Sequence, residues 1–170
     1  MRSGTGIMVS DYEQRILDDV SAHGWFCLSV GAGEGEPAFT YSVGFIDSLR
    51  CAEFIVFGLS ARLSHSMLWG VFEQIRDGVA TATEGQRWSN LLDGYECISR
   101  AVHPSQIRRE YFNSAIWYWS HTGRNRDSVQ AFQLFWPGAG QRLFPWDSGC
   151  AQEVRDLQPL LYLPREVGLA

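Results

Sequence analysis

This 170-residue chain contains no lysine, and its 14 Lys+Arg residues are all arginine. Without a lysine amine the protein cannot form a Schiff base, attach pyridoxal phosphate or supply the lysine of a phosphate-binding loop. The basic residues form no block, and the formal net charge is −5. Since neutralising phosphates requires clustered cations, we expect no nucleic acid partner.

Several other signals are also absent from the sequence. The histidines show neither i, i+4 nor His-x-His spacing, so we predict no metal site, and no motif indicates a cofactor. No apolar run is long enough for a membrane span or a signal peptide, and no Cys-x-x-Cys pair occurs among the four dispersed cysteines. We therefore predict a cytoplasmic protein without a membrane partner and with reduced thiols: Cys27, Cys51, Cys97 and Cys150.

Aromatic residues are abundant, at 14% of the chain with 7 tryptophans, and 45% of all residues are hydrophobic. This composition is typical of a globular protein, and the length suits one compact domain. We predict a flexible leader at 1–9, a single α+β domain at 10–163 and a tail at 164–170. Rigid aromatic side chains in this number could also line a binding groove.

Three helices are predicted from capping signals and apolar spacing. Ser10 and Glu13 form a capping box that begins the first helix, and Gly24 ends it. The second helix runs from Ser60 to Gly78. His103-Pro104 opens the third, whose apolar face is formed by Ile107, Tyr111, Ala115 and Trp119.

Five segments have the composition of strands, and the early ones follow each other without an intervening helix. The first two are joined by the glycine-rich loop GAGEGEP, which predicts a hairpin. The polar stretch 79–94 is interpreted mostly as loop. This order predicts an α+β fold with a mostly antiparallel or mixed sheet of about five strands, packed by about three helices. The predicted strands are 25–30, 38–45, 53–59, 95–102 and 129–136.

The segment PGAGQRLFPWDSG (137–149) combines prolines with glycines and is predicted to be a rigid lid over the strand FQLFW. Either its tryptophans pack onto the sheet, or they wall an aromatic cleft with one carboxylate. For the second case we name a ligand-binding set: Trp25, Gln133, Trp136 and Trp146. An acid–base set for the same cleft is Tyr41, His103 and Asp147, although a structural role is the commoner explanation for such residues.

The chain resembles the bacterial domain-of-unknown-function family 4262, a family of actinobacterial type. The resemblance rests on an ordered set of motifs that spans nearly the whole chain: HGW (23–25), FTYSVGF (39–45), AEFIVFGL (52–59), VHP (102–104), FQLFWP (132–137), FPWDSG (144–149) and LQPLL (157–161). The resemblance implies no particular reaction.

Three functions are compatible with these observations. The favoured hypothesis is a binding or interaction module, such as an inhibitor, an immunity-type protein or a ligand sensor, whose partner is a protein, a peptide or a small molecule. The alternative is a small lysine-free enzyme that uses His/Asp acid–base chemistry in the aromatic cleft. A weaker alternative is a flavin-binding split barrel, suggested by the cluster of strands that follows a helix.

Overall fold

A computed structural model of the protein describes residues 8–166. The predicted leader at 1–9 and tail at 164–170 fall largely outside these residues. The helices and strands follow one another along the chain as α1 (Asp11–His23), β1 (Phe26–Val30), β2 (Phe39–Val43), α2 (Phe45–Ser48), β3 (Glu53–Phe57), α3 (Ala61–Arg76), β4 (Arg87–Leu92), β5 (Tyr95–Ala101), α4 (Arg109–His121), β6 (Ala131–Phe135) and α5 (Gln152–Leu157).

One mixed sheet organises the fold, with strand order β1-β2-β3-β6-β5-β4. Strands β3 and β6 run parallel, and each of the other neighbouring pairs is antiparallel. The α+β fold class is therefore confirmed, although the sheet has six strands, and not five, within residues 8–166. In this part of the chain none of the helices is long and apolar enough to cross a membrane.

Helix α1 follows its local sequence signals closely. Ser10 Oγ accepts a hydrogen bond from the Glu13 N–H at 3.1 Å, while Glu13 Oε1 accepts from the Ser10 N–H at 3.0 Å. Gly24 ends the helix in the left-handed conformation that glycine adopts without steric cost. The capping box and the stop signal are both confirmed, because each depends on residues only a few positions apart.

Strand β4 lies where a loop was expected. Trp88 is fully buried and Leu91 nearly so, and the spacing of three between them is wrong for a regular strand. A register shift lies between Trp88 and Leu92, and Asn90 has a φ of 62°. This irregularity breaks the two-residue alternation by which strands are recognised, which is why the sequence pattern concealed β4.

The third predicted helix begins later than Pro104. Residues Pro104–Gln106 form a 3₁₀ turn instead, and α4 starts at Arg109. Within α4, Phe112 has non-helical dihedral angles, with φ −131° and ψ 25°. Close to this kink the Ser114 N–H donates to the buried Tyr41 hydroxyl at 2.9 Å, so a side chain of β2 replaces a helical acceptor.

Helices cover both faces of the sheet. On one face, α3 lies against β1, β2 and β4, and its apolar stripe shares a core cluster with β3 and β6. On the other face, α1 lies against β1 and α4 against β2, in a cluster that also includes β3. Each fully buried aliphatic or aromatic side chain contributes about 1.5–3 kcal/mol by leaving water. The buried residues of the α3 stripe are Met67, Leu68, Val71 and Phe72.

Gly58 provides a test of the packing of the C-terminal segment on the sheet. It has a φ of +80°, and an added Cβ would lie 2.7 Å from Leu157 Cβ and 2.8 Å from the Leu157 carbonyl oxygen. Gly58→Ala should therefore lower the free energy of unfolding by about 2–4 kcal/mol, from strain and overpacking together. Chemical denaturation measures this loss.

The matched control is Gly78→Ala, because Gly78 has a similar φ of +75° but nothing within 4 Å of an added Cβ. This substitution should cost only the strain, about 1 kcal/mol. An equal decrease in the free energy of unfolding of the two variants would show that Leu157 of α5 does not pack closely against Gly58.

Candidate functional site

The three predicted acid–base residues have separate surroundings. Tyr41 is 1% exposed, and its hydroxyl accepts from Ser114 beneath α4. The His103 Nδ1 lies 3.1 Å from the Ser105 nitrogen and caps the 3₁₀ turn. Asp147 Oδ2 accepts from the Phe144 N–H at 2.8 Å and so closes a turn of the lid. The structure therefore gives each residue its own partners and no hydrogen bond to the other two.

Gln133 and Trp136 hold the chain that follows them. Gln133 is fully buried, donates to the Pro159 carbonyl at 2.7 Å and accepts from the Leu161 N–H at 3.1 Å. Trp136 donates its indole N–H to the Phe57 carbonyl at 2.7 Å. Gln133 therefore fastens the C-terminal segment to the sheet, whereas the Trp136 indole is bonded to β3.

Trp146 packs within the lid and over β5 and β6. Its ring stacks on Phe144 at 5.1 Å with an interplanar angle of 4°, and it meets the edge of Phe135 at 5.0 Å. The Arg100 guanidinium lies 4.9 Å from the Trp146 centroid and 3.7 Å from that of Tyr162. The lid is therefore a packed layer at these tryptophans, as in the first of the two interpretations of this segment.

Trp25 differs from the other predicted ligand-binding residues because it lines an open cleft of about 930 Å³. We call this feature the Trp25 cleft. It lies at the free edge of the sheet, with β1 between α1 and α3. The lining residues are Arg15, Asp19 and His23 from α1, Trp25, Phe26, Cys27 and Ser29 from the β1 segment, and Ala61, Arg62, His65, Ser66 and Trp69 from α3.

One wall of the Trp25 cleft is aromatic. The Trp25 ring lies 5.8 Å from Trp69 and 5.5 Å from His65, measured between centroids. Trp69 is 37% exposed, whereas Trp25 is only 3% exposed. The buried Trp25 indole N–H finds no hydrogen-bond acceptor among residues 8–166. The aromatic wall thus combines the buried Trp25 ring with the solvent-accessible Trp69 ring.

The rim of the Trp25 cleft carries more positive than negative charge. Its lining includes two arginines, Arg15 and Arg62, but a single carboxylate, that of Asp19. Neither arginine forms a salt bridge within the described part of the chain. Because the whole chain has a net charge of −5, this rim is a local exception that favours an anionic group.

Cys27 lines the same cleft but is unsuited to nucleophilic chemistry. Burial raises the pKa of its thiol to about 12. Only the thiolate attacks, and at neutral pH this cysteine holds its proton. No group of three or more His, Cys, Asp or Glu side chains in residues 8–166 could hold a metal ion. The cleft therefore offers contact surface, charge and hydrogen-bonding groups.

Glu53 is a buried ionisable residue that the sequence reasoning missed. It is fully buried, and its two carboxylate oxygens accept from Ser42 Oγ at 2.9 Å, Phe45 N at 3.0 Å, Trp119 Nε1 at 3.1 Å and Gly44 N at 3.2 Å. Ser42 Oγ itself accepts from the Phe54 N–H, so its own proton is directed to Glu53. The sequence signal that could have revealed Glu53 is its position as the one acidic residue at the start of the otherwise apolar strand EFIVF.

The Glu53 carboxyl has no cationic partner among its hydrogen bonds. Burial raises its pKa to about 7, and the hydrogen bonds from Trp119, Phe45, Ser42 and Gly44 offset part of that effect. Because the side chain is fully buried, it cannot meet a ligand from solvent. We therefore assign it to the framework that joins β2, α2, β3 and α4.

The fold and the cleft define a small α+β domain with an open sheet edge. Residues 19–151 match the model of a family described as a domain of unknown function, DUF4262. The match covers more than half of the chain, which therefore belongs to this family, and the resemblance seen in the sequence is confirmed. Searches of curated proteins and of solved structures found no match.

Glu53 should make stability depend on pH in a defined direction. Its pKa is raised in the folded state from 4.5 to about 7, so the stability it contributes is fully present below about pH 4.5 and is lost as the pH rises through 7. From about pH 5 to about pH 8 this group should lower the free energy of unfolding by roughly 2–3 kcal/mol. Glu53→Gln should remove that component, as measured by urea unfolding across this range.

Glu34→Gln is the matched control, because Glu34 is exposed in the β1–β2 loop and loses the same charge. Each variant differs from wild type at a single carboxyl group, so the difference between the two variants isolates Glu53. A Glu53→Gln profile parallel to that of wild type would contradict the raised pKa.

Proposed function

We propose that this protein is a binding module and that the Trp25 cleft is its binding site. The observation that carries the proposal is the exposed Trp69 ring beside Trp25 in a cleft of about 930 Å³. Ligand sites of roughly 300–1,000 Å³ with aromatic walls and a few polar groups are typical of proteins that bind small molecules or partner side chains. The proposal keeps the cytoplasmic location predicted from the sequence.

Packing in the C-terminal lid supports the choice of this cleft over the lid. The lid tryptophans contact the sheet and one another, whereas Trp69 leaves part of its ring open to solvent. The acid–base alternative requires Tyr41, His103 and Asp147 to meet, and their separate hydrogen bonds give it no support. An inhibitor, an immunity-type protein or a ligand sensor would each need an accessible recognition surface of this kind.

An aromatic sulfonate, 8-anilinonaphthalene-1-sulfonate, is a suitable first probe because its rings can stack on Trp69 and its charge can pair with Arg62. Fluorescence titration should show saturable binding to the folded protein. Trp69→Ala should weaken it by about tenfold, since an aromatic contact and buried area are both lost.

Trp117→Ala is the matched control, because Trp117 is a partly exposed tryptophan on α4 that lines a separate cleft of about 550 Å³ with Arg109 and Arg126. This variant should bind the probe as wild type does. Equal weakening in both variants, or no effect of Trp69→Ala, would rule out the Trp25 cleft as the binding site.

A further inference from the structure

Strand β1 lies at one edge of the sheet, and its outward hydrogen-bonding groups can be assigned from the pairing of β2. Gly58 N–H donates to the Ala38 carbonyl, so Ala38 and every second residue after it direct their backbone groups toward β3. The alternate residues of β2 therefore pair with β1 through Phe26, Leu28 and Val30. The backbone N–H and C=O of Cys27 and Ser29 point away from the sheet.

These outward groups are available for pairing. No backbone hydrogen bond to Cys27 or Ser29 from outside the β1–β2 pair occurs within residues 8–166. Both residues line the Trp25 cleft, and helices α1 and α3 flank it on either side. The floor of the cleft is thus an unpaired strand edge of the kind to which an extended peptide can add.

Alternate side chains of an added strand would face opposite sides of the sheet. One set would meet the aromatic wall formed by Trp25 and Trp69 on the α3 side. The other would meet Phe26 and the α1 side, where Arg15 stands. Arg62 lies at the rim on α3, so a basic group is available on each side of the added strand.

Charge separates the possible occupants of this edge. Two copies of the chain paired through β1 would bring two sets of Arg15 and Arg62 together, and each copy has a net charge of −5. Like charges placed opposite one another oppose such an assembly. A segment with acidic side chains would instead complement the rim.

We propose that the Trp25 cleft binds an extended acidic segment of a partner protein, which adds to β1 as a seventh strand and places an apolar side chain against Trp69. This inference rests on the proposed function, because it names the occupant of the same cleft. Recognition then has three parts, namely the backbone groups of Cys27 and Ser29, the aromatic wall and the basic rim.

The test uses a fluorescein-labelled peptide of seven residues in which leucine or valine alternates with glutamate, measured by fluorescence anisotropy with the full chain. Two further peptides carry N-methyl groups on one or the other set of alternate backbone nitrogens. In an added strand only one set faces β1, so one isomer should bind at least about tenfold more weakly than the other. A peptide with lysine in place of glutamate should also bind weakly.

Ser29→Pro tests the same edge from the protein side. Proline removes the outward N–H at a position where an edge strand can accept it, and peptide affinity should fall by about tenfold. Ser29→Ala is the control, because it keeps the N–H and loses only the side-chain hydrogen bond to Thr40. The N-methyl peptides keep the test decisive if Ser29→Pro folds poorly, because they use the wild-type protein.

Several outcomes would overturn the inference. Equal binding of the two N-methyl isomers would show that no strand is added, and equal binding of the lysine peptide would show that charge does not select the partner. A dimer in sedimentation velocity that Ser29→Pro abolishes would identify a second copy as the occupant. If no peptide binds while the sulfonate probe still depends on Trp69, this inference fails and the proposed function stands.

Discussion

The buried carboxylate of Glu53 is the constraint on which one end of the sheet depends. Its four donors come from β2, from the turn into α2 and from α4, so a single side chain joins segments far apart in sequence. A buried charge without these donors would be strongly destabilising. The arrangement therefore requires Gly44 to bring its N–H to the carboxylate, and Trp119 to approach from α4. These hydrogen bonds to Glu53 attach both α2 and α4 to the sheet.

Four of the seven tryptophans fall into two pairs with different roles. Trp136 and Trp146 pack on the sheet, where indole N–H donation, stacking and the Arg100 guanidinium satisfy them within the protein. Trp25 and Trp69 lie beside the edge strand β1, which has unpaired backbone groups. The aromatic surplus thus has a structural part and an accessible part, and the proposed binding site uses the second.

Predictions from the sequence succeeded where the determining interactions are local. The Ser10–Glu13 capping box and the apolar stripe of α3 each lie within a few turns, and both were recognised. Strand β4 was missed because a bulge at Asn90 breaks its alternation. The start of α4 was misplaced because Pro104–Gln106 form a separate 3₁₀ turn capped by His103. The kink at Phe112 was not foreseen because the Tyr41 hydroxyl beside it belongs to a distant strand. Of the candidate site residues, only Trp25 lines the Trp25 cleft.

The sequence by itself determined the α+β class, the absence of lysine chemistry, the net negative charge and the family to which the chain belongs. These properties depend on composition, on short-range periodicity and on the order of motifs. Only the tertiary structure decided which tryptophan stays exposed, which strand edge stays open and which glutamate is buried. Those outcomes depend on contacts between residues such as Glu53 and Trp119, whose proximity is created by the strand order and the packing of α4, and no local pattern encodes it.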